Sequence, residues 1–125
     1  MRILVIDDND SVRRAMVVTL TREGHEVLEA NGGAAALKLW EERGADVVLT
    51  DLRMGGMDGA TVVRHLRALS PTLPVVVMSG DSGVTAANLA RDPSLKPIGI
   101  LMKPFKREEL LAAVAGAAAK RAPET

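Results

Sequence analysis

The chain of 125 residues has no cysteine, no tyrosine and no excess of either charge. Without cysteine, disulfides, thiolate zinc sites and cysteine nucleophiles are excluded. Lysine plus arginine and aspartate plus glutamate both number 16, so overall charge does not favour a nucleic acid or an anionic membrane as partner. No apolar run approaches the roughly 18 residues of a membrane span, and residues 3–6 are too few for a signal-peptide core. These absences predict a soluble protein of the cytoplasm.

What the chain does contain is a hydrophobic fraction of 47%, enough for the core of one domain of ordinary size. A second domain does not fit within this length. We expect the domain to occupy residues 1–120 and to be followed by a frayed tail at residues 121–125.

Short apolar runs alternate with stretches of helical periodicity along the whole chain. Five successive βα units of this kind predict a doubly wound α/β fold, in which one parallel five-stranded sheet has helices on both faces. The predicted strands are residues 3–6, 25–30, 47–51, 74–79 and 98–102. The predicted helices are residues 10–24, 34–43, 58–70, 84–91 and 108–119, of which 84–91 is short because prolines follow it.

Hydrophobic spacing also assigns the faces of the helices. In the first helix the apolar residues turn inward, and Arg13 and Arg14 are expected to face solvent. In the third helix Arg67 is likewise expected on the outer face. Asp10 or Ser11 is the expected N-cap of the first helix.

Polar and charged residues follow the apolar runs where the predicted strands end. Asp7 and Asp8 follow the first strand, Asp51 ends the third, Ser79 ends the fourth, and Lys103 follows the fifth. Each alone is typical of a turn, a helix start or a solvated surface. In a doubly wound sheet, however, the carboxyl ends of these strands meet at one edge. Three carboxylates there suit Mg²⁺, which prefers oxygen ligands, and would repel one another without a cation. The pattern predicts a site for a divalent metal and a phosphoryl group.

Four short segments at the matching strand ends give the chain a specific resemblance to the receiver domain of bacterial two-component response regulators. In chain order these are Ile6-Asp7-Asp8, Thr50-Asp51-Leu52-Arg53-Met54 continuing to Met57-Asp58-Gly59, Met78-Ser79-Gly80, and Lys103-Pro104-Phe105. The resemblance extends over nearly the whole chain and implies the strand order 2-1-3-4-5.

The resemblance also implies roles for the acidic residues. Asp51 would accept a phosphoryl group from a histidine kinase or a phosphotransfer protein. The cofactor would be Mg²⁺ or Mn²⁺, bound directly by Asp8 and Asp51, through water by Asp7, and by the backbone carbonyl of Arg53.

The remaining roles concern the phosphoryl group and the switch. Ser79 and Lys103 would bond the phosphoryl oxygens, and the peptide bond before Pro104 would be cis. Ile100 stands where the family commonly has an aromatic residue, so no aromatic rotamer switch is expected here.

Two further features depart from the common receiver pattern or add to it. Arg53 and Asp81 lie on loops expected to flank the site, where they would either form an ion pair that slows loss of the phosphoryl group or simply be solvated. The prolines between residues 92 and 97 change a face through which receivers pair, so a monomer or weak dimer is expected.

Three other functions compete with that of a phosphoaccepting interaction switch. A magnesium-dependent phosphatase of the haloacid dehalogenase type would need an aspartate where Arg53 stands. A flavin or nucleotide binder would need a glycine-rich first turn, whereas residues 7–10 read Asp-Asp-Asn-Asp. A pseudo-receiver would bind partners only. The favoured function is that of a signalling phosphoacceptor, which is not an enzyme acting on other substrates. We expect it to act alone or as part of a hybrid kinase. Its partner would be a protein target that the sequence does not name, and neither a nucleic acid nor a membrane.

Overall fold

The computed structural model describes residues 1–54, 56–80, 91–93, 95 and 98–119, which form five strands and four helices. The strands are β1 (Arg2–Ile6), β2 (Glu26–Ala30), β3 (Val47–Asp51), β4 (Val75–Ser79) and β5 (Ile98–Met102). The helices are α1 (Asp10–Arg22), α2 (Gly33–Arg43), α3 (Gly59–Leu69) and α4 (Arg107–Ala119). Among the described residues, no helix is both long and apolar enough to cross a membrane.

All five strands are parallel and lie in the order β2-β1-β3-β4-β5, which confirms the predicted doubly wound sheet. The register brings the carboxyl ends of the strands into line. Ile6 lies beside Thr50, Asp51 lies beside Met78, and Ser79 pairs with Met102. The strand order reverses between β1 and β3, so the residues after these strands lie at the crevice where such sheets bind ligands.

Each face of the sheet buries its own hydrophobic core. Leu4 and Ile6 of β1 pack with α2 and α3, whereas Ile3 and Val5 pack with α1 and α4. All four side chains are fully buried. Strands covered on both faces read as continuous apolar runs, which is why these strands are evident in the sequence.

Arg13 does not face solvent, contrary to the prediction from helical spacing. Only 8% of the residue is exposed. Its guanidinium donates to the backbone oxygen of Asp7 at 2.8 Å, to Glu29 at 3.0 Å and to Asp10 at 2.7 Å. An arginine can be buried when its guanidinium finds acceptors, and here the acceptors lie on β2, on the turn after β1 and at the first residue of α1.

Arg67 is also buried, which is a second correction to the predicted helix faces. It donates to the backbone oxygens of Leu73, Pro71 and Leu95, and thereby joins the end of α3 to the entry of β4 and to the chain before β5. Burial lowers the pKa of its guanidinium. The acceptors are carbonyl groups of other segments, so the sequence of α3 alone does not predict that Arg67 is buried.

Helix and strand boundaries differ from the predictions by one or two residues at several ends, and the N-cap of α1 is Asn9 instead of the predicted Asp10 or Ser11. Asn9 has extended backbone angles, and its side-chain oxygen accepts the N–H of Val12 at 3.0 Å. Asp10 is therefore the first residue of α1, and its carboxylate accepts a hydrogen bond from Arg13. The predicted helix at 84–91, apart from residue 91, lies outside the described residues, as do Asp81 and the tail at 121–125.

The N-caps of α1 and α3 form a matched pair for a test of stability against pH. Asp58 caps α3 by accepting the N–H of Thr61 at 2.8 Å, as Asn9 does for Val12. A change of either residue to alanine should lower the free energy of unfolding by about 1 kcal/mol at neutral pH. The bond from the Thr61 N–H lowers the pKa of the Asp58 carboxyl. A depressed carboxyl pKa gives stability that is present above the ordinary value of about 4 and lost as the pH falls through the folded-state value.

Urea unfolding of both variants in the presence of a chelator, between pH 7 and pH 3, measures this effect. The cost of Asp58→Ala should shrink in acid, while that of Asn9→Ala should stay constant because an amide does not titrate. Equal pH dependence of the two costs would show that the charge of Asp58 contributes nothing to the cap.

Candidate phosphoacceptor site

Three carboxylates gather at the carboxyl edge of the sheet, as the sequence pattern predicts. One oxygen from each of Asp7, Asp8 and Asp51 lies within 4.8 Å of the other two. Asp7 is fully buried, Asp51 is partly buried and Asp8 is exposed. The cluster therefore opens to solvent on the Asp8 side and is closed beneath by the end of β1.

Asp7 is held at four points. Its backbone N–H donates to Ala30 of β2 at 3.1 Å, and its backbone oxygen accepts from Arg13. One carboxylate oxygen accepts the backbone N–H of Asn9 at 2.9 Å, and the other accepts from Lys103 at 3.1 Å. A buried carboxylate with these partners is compensated rather than isolated, so the turn after β1 is fixed at the site.

Lys103 joins the end of β5 to the acidic cluster. Its ammonium nitrogen lies 3.2 Å from Asp51 and 3.1 Å from Asp7, and its backbone N–H donates to the Ser79 oxygen at 2.7 Å. Burial acts to lower the pKa of Lys103, but hydrogen bonds and charge from Asp7 and Asp51 outweigh it and raise the pKa above the ordinary value. The side chain is therefore a cation at neutral pH. The peptide bond between Lys103 and Pro104 is cis.

A cavity of about 220 Å³ lies directly against Asp51. Its lining residues are the last residues of β3 and β4 and residues that follow β3, β4 and β5: Asp51, Leu52, Arg53, Ser79, Gly80 and Lys103. Only 13% of the Asp51 side chain is exposed, so a group bound in this cavity would be largely withdrawn from water. Ile100 lies further back on β5, beside Val77, and is exposed.

The contacts that two residues make near the site were not predicted from the sequence. Gly59, the first residue of α3, packs so closely on the chain after β3 that a Cβ would meet the carbonyl oxygen of Asp51. Arg13 bonds the carbonyl oxygen of Asp7 from within α1. The Asp-Gly pair at 58–59 marks the start of α3, but no local pattern indicates either contact, because both depend on how the loops pack.

Fold and site together define a doubly wound α/β domain with a carboxylate cluster and a paired lysine at the edge where ligands bind. The family model of the response regulator receiver domain matches residues 3–115. The chain therefore belongs to the response regulator receiver domain family, and it is a signalling domain of two-component systems.

Curated relatives are longer proteins that contain a matching part. The chain is 32% identical over 117 residues to the CAI-1 autoinducer sensor kinase/phosphatase CqsS of Vibrio cholerae, covering 91% of this chain and 17% of that protein. It is 34% identical over 114 residues to the response regulator MprA of Mycobacterium leprae, covering 91% and 49%. The chain thus spans less than half the length of either relative.

Solved structures of similar size show the same fold. A response regulator receiver domain protein from Clostridium thermocellum superimposes with a TM-score of 0.84 at 28% identity, over 94% of each chain. The chemotaxis protein CheY4 of Vibrio cholerae superimposes with a TM-score of 0.85 at 27% identity, over 93% of this chain and 97% of that one.

Proposed function

We propose that this receiver domain is a phosphoacceptor, in which Asp51 takes a phosphoryl group from the phosphohistidine of a histidine kinase or phosphotransfer protein. The observation that carries the proposal is the position of the Lys103 ammonium, 3.2 Å from Asp51 beside the cavity at the carboxyl edge. A carboxylate with a fixed cation and a sheltered cavity next to it suits the transfer of an anionic group.

In the proposed transfer, a carboxylate oxygen of Asp51 forms a bond to phosphorus while the bond from phosphorus to the donor nitrogen breaks. The imidazole leaves with the electron pair of that bond and ends as neutral histidine after taking a proton. Lys103 and Ser79 line the same cavity, which supports the proposal that their ammonium and hydroxyl groups bond the oxygens of the incoming group.

The donor set fits Mg²⁺ as the cofactor, with Mn²⁺ as the alternative, because all three clustered side chains offer hard carboxylate oxygens. Asp8 and Asp51 would hold the ion directly, Asp7 through water, and the backbone carbonyl of Arg53 would complete the protein ligands. When bound, the ion would offset the negative charge of the carboxylates and of the phosphoryl oxygens.

The proposed output is a movement of the loops after β4 and β5. A phosphoryl group on Asp51 adds negative charge and three acceptor oxygens close to Ser79 and Lys103. The Lys103 N–H already bonds the Ser79 carbonyl oxygen, so a shift of either residue is passed to the other loop. Ile100 replaces an aromatic switch residue, and the change would reach the protein target through these loops alone.

An apolar cavity of about 530 Å³ between α1 and the start of α4 supports the proposal for the donor partner. Ala15 and Met16 of α1 and Phe105 before α4 contribute to its walls, and Gly80 and Lys103 line both this cavity and the one beside Asp51. A helix of a histidine-bearing partner seated there would bring its side chains to the mouth of the site.

We place this transfer of the phosphoryl group in the cytoplasm. The proposed pairing of Arg53 with Asp81 stays a prediction, since Asp81 lies outside the described residues.

Incubation with acetyl phosphate, a small phosphodonor, tests the function without knowledge of the kinase. Intact mass spectrometry should show the gain of a single phosphoryl group in the presence of Mg²⁺ and none with a chelator. Asp51→Asn should abolish the gain, because the amide is not a nucleophile of comparable strength. Asp46→Asn, at the opposite edge of the sheet, is the matched control and should be labelled like the wild type. Equal labelling of Asp51→Asn would remove Asp51 from the proposed role.

A further inference from the structure

We propose that Arg13 is a positioning residue, which fixes the peptide group between Asp7 and Asp8 and thereby sets the affinity of the acidic site for Mg²⁺. The proposal rests on the proposed function, in that the cluster at Asp7, Asp8 and Asp51 is taken to hold the ion. The Arg13 guanidinium contacts the backbone oxygen of Asp7, and its two other acceptors, Glu29 and Asp10, lie outside the cluster.

The guanidinium of Arg13 uses all three of its nitrogen atoms, each on a different segment. One terminal nitrogen donates to the Asp7 carbonyl oxygen at 2.8 Å, and the other donates to Asp10 at 2.7 Å. The Nε atom donates to Glu29 on β2 at 3.0 Å. The planar group is therefore held in one orientation by acceptors on the turn after β1, at the start of α1 and on β2, and it holds the Asp7 carbonyl in turn.

The Asp7 carbonyl belongs to the peptide unit that continues into Asp8. Because a peptide unit is planar, fixing its oxygen also fixes the direction in which the chain enters Asp8. The hydrogen bond from Arg13 is made to the carbonyl oxygen of Asp7, and the exposed Asp8 follows directly on the same peptide unit. Arg13 is thus placed to determine where the Asp8 carboxylate lies relative to Asp51.

Position, rather than charge, is the means by which Arg13 acts. Its cation is paired with the carboxylates of Glu29 and Asp10, so little of its charge is left to act on the cluster. A lysine at this position would keep the charge but offers a single nitrogen, which cannot serve three acceptors in a fixed plane. Substitution of residues that orient metal ligands typically weakens metal binding by about 10–100-fold.

The test measures Mg²⁺ binding by calorimetry on the full chain, with Arg13→Lys and Arg13→Met as variants. Both should bind Mg²⁺ at least about tenfold more weakly than the wild type. Arg14→Met is the matched control: Arg14 is the next residue of α1, is largely exposed and lies 3.7 Å from the same Glu29. The Arg14→Met variant loses the same charge as Arg13→Met but no hydrogen bond to Asp7. Its Mg²⁺ affinity should equal that of the wild type. Melting temperatures without metal show whether each variant is folded.

Labelling by acetyl phosphate separates positioning from a general loss of structure. In the Arg13 variants the labelling rate should fall at limiting Mg²⁺ and recover at saturating Mg²⁺. A purely structural role would lower the metal-free melting temperature while leaving the Mg²⁺ affinity of the folded protein unchanged, and that result would overturn the proposal. Wild-type affinity in Arg13→Lys would also overturn it, by showing that charge is sufficient. If Arg13→Met does not fold, Arg13→Lys decides alone.

The wild type and Asp8→Ala distinguish failure of this inference from failure of the proposed function. Mg²⁺ binding that is present in the wild type, lost in Asp8→Ala and unaltered in both Arg13 variants would overturn only the role of Arg13. Absence of Mg²⁺ binding by the wild type would overturn the proposed metal site and the role of Arg13 together.

Discussion

Gly59→Ala is expected to destabilise the domain by about 3 kcal/mol, with displacement of the chain that carries Asp51. A Cβ at Gly59 would lie closer to the Asp51 carbonyl oxygen than real Cβ atoms approach, with the Leu52 Cα at 3.0 Å. All of these neighbours are backbone atoms, which cannot rotate away as a side chain can. The Gly59 N–H also donates to the Leu52 oxygen at 3.0 Å, so moving α3 outward would strain a bond that ties it to the end of β3.

Gly116→Ala is the matched control for this prediction. Gly116 lies within α4, and a Cβ there would meet nothing within 4 Å. Alanine is favoured over glycine in a helix interior by about 0.5–1 kcal/mol, so this variant should be slightly more stable than the wild type. Chemical unfolding of both variants measures the two changes in stability, which should have opposite signs. If Gly59→Ala unfolds at the same denaturant concentration as the wild type, the contact between α3 and the chain after β3 relaxes at little cost.

Mg²⁺ is expected to raise the free energy of unfolding by about 2.7 kcal/mol at 100 times its dissociation constant, provided that it binds only the native state. The ammonium of Lys103 pairs with Asp7 and Asp51, two of the three clustered carboxylates. A divalent ion would offset the mutual repulsion of the three carboxylates further. Thermal melting with and without Mg²⁺ measures the effect.

Asp8→Ala should abolish the response to Mg²⁺, because the exposed and most accessible carboxylate of the cluster is gone. Without metal, this variant should melt at or above the wild-type temperature, since one member of a repelling group has been removed. Glu42→Ala removes an equal charge from the exposed surface of α2 and should keep the full response. A metal-free melting temperature of Asp8→Ala below that of the wild type would mean that Asp8 stabilises the fold by itself.

Much of this fold is determined by local sequence alone. The strands in the middle of the sheet are buried on both faces and therefore appear as unbroken apolar runs, such as residues 47–49 and 75–78. An apolar run ends where the chain reaches the edge of the sheet, and this is where Asp7, Asp51 and Ser79 stand. Because parallel strands share one carboxyl edge, the sequence alone predicts that the three carboxylates lie close together.

Only the tertiary structure decided which long charged side chains are buried. Helical spacing placed Arg13 and Arg67 on outer faces, but the acceptor on β2 is 16 residues from Arg13, and one acceptor of Arg67 is 28 residues away at Leu95. A helix pattern records apolar residues and contains nothing about carbonyl or carboxylate groups that other segments bring near. Lys103, by contrast, could be placed at the carboxyl edge from the sequence because it follows a strand, although its partner Asp7 is 96 residues distant. Burial of a charge depends on partners assembled by the fold, whereas burial of an apolar residue is evident from its own chemistry.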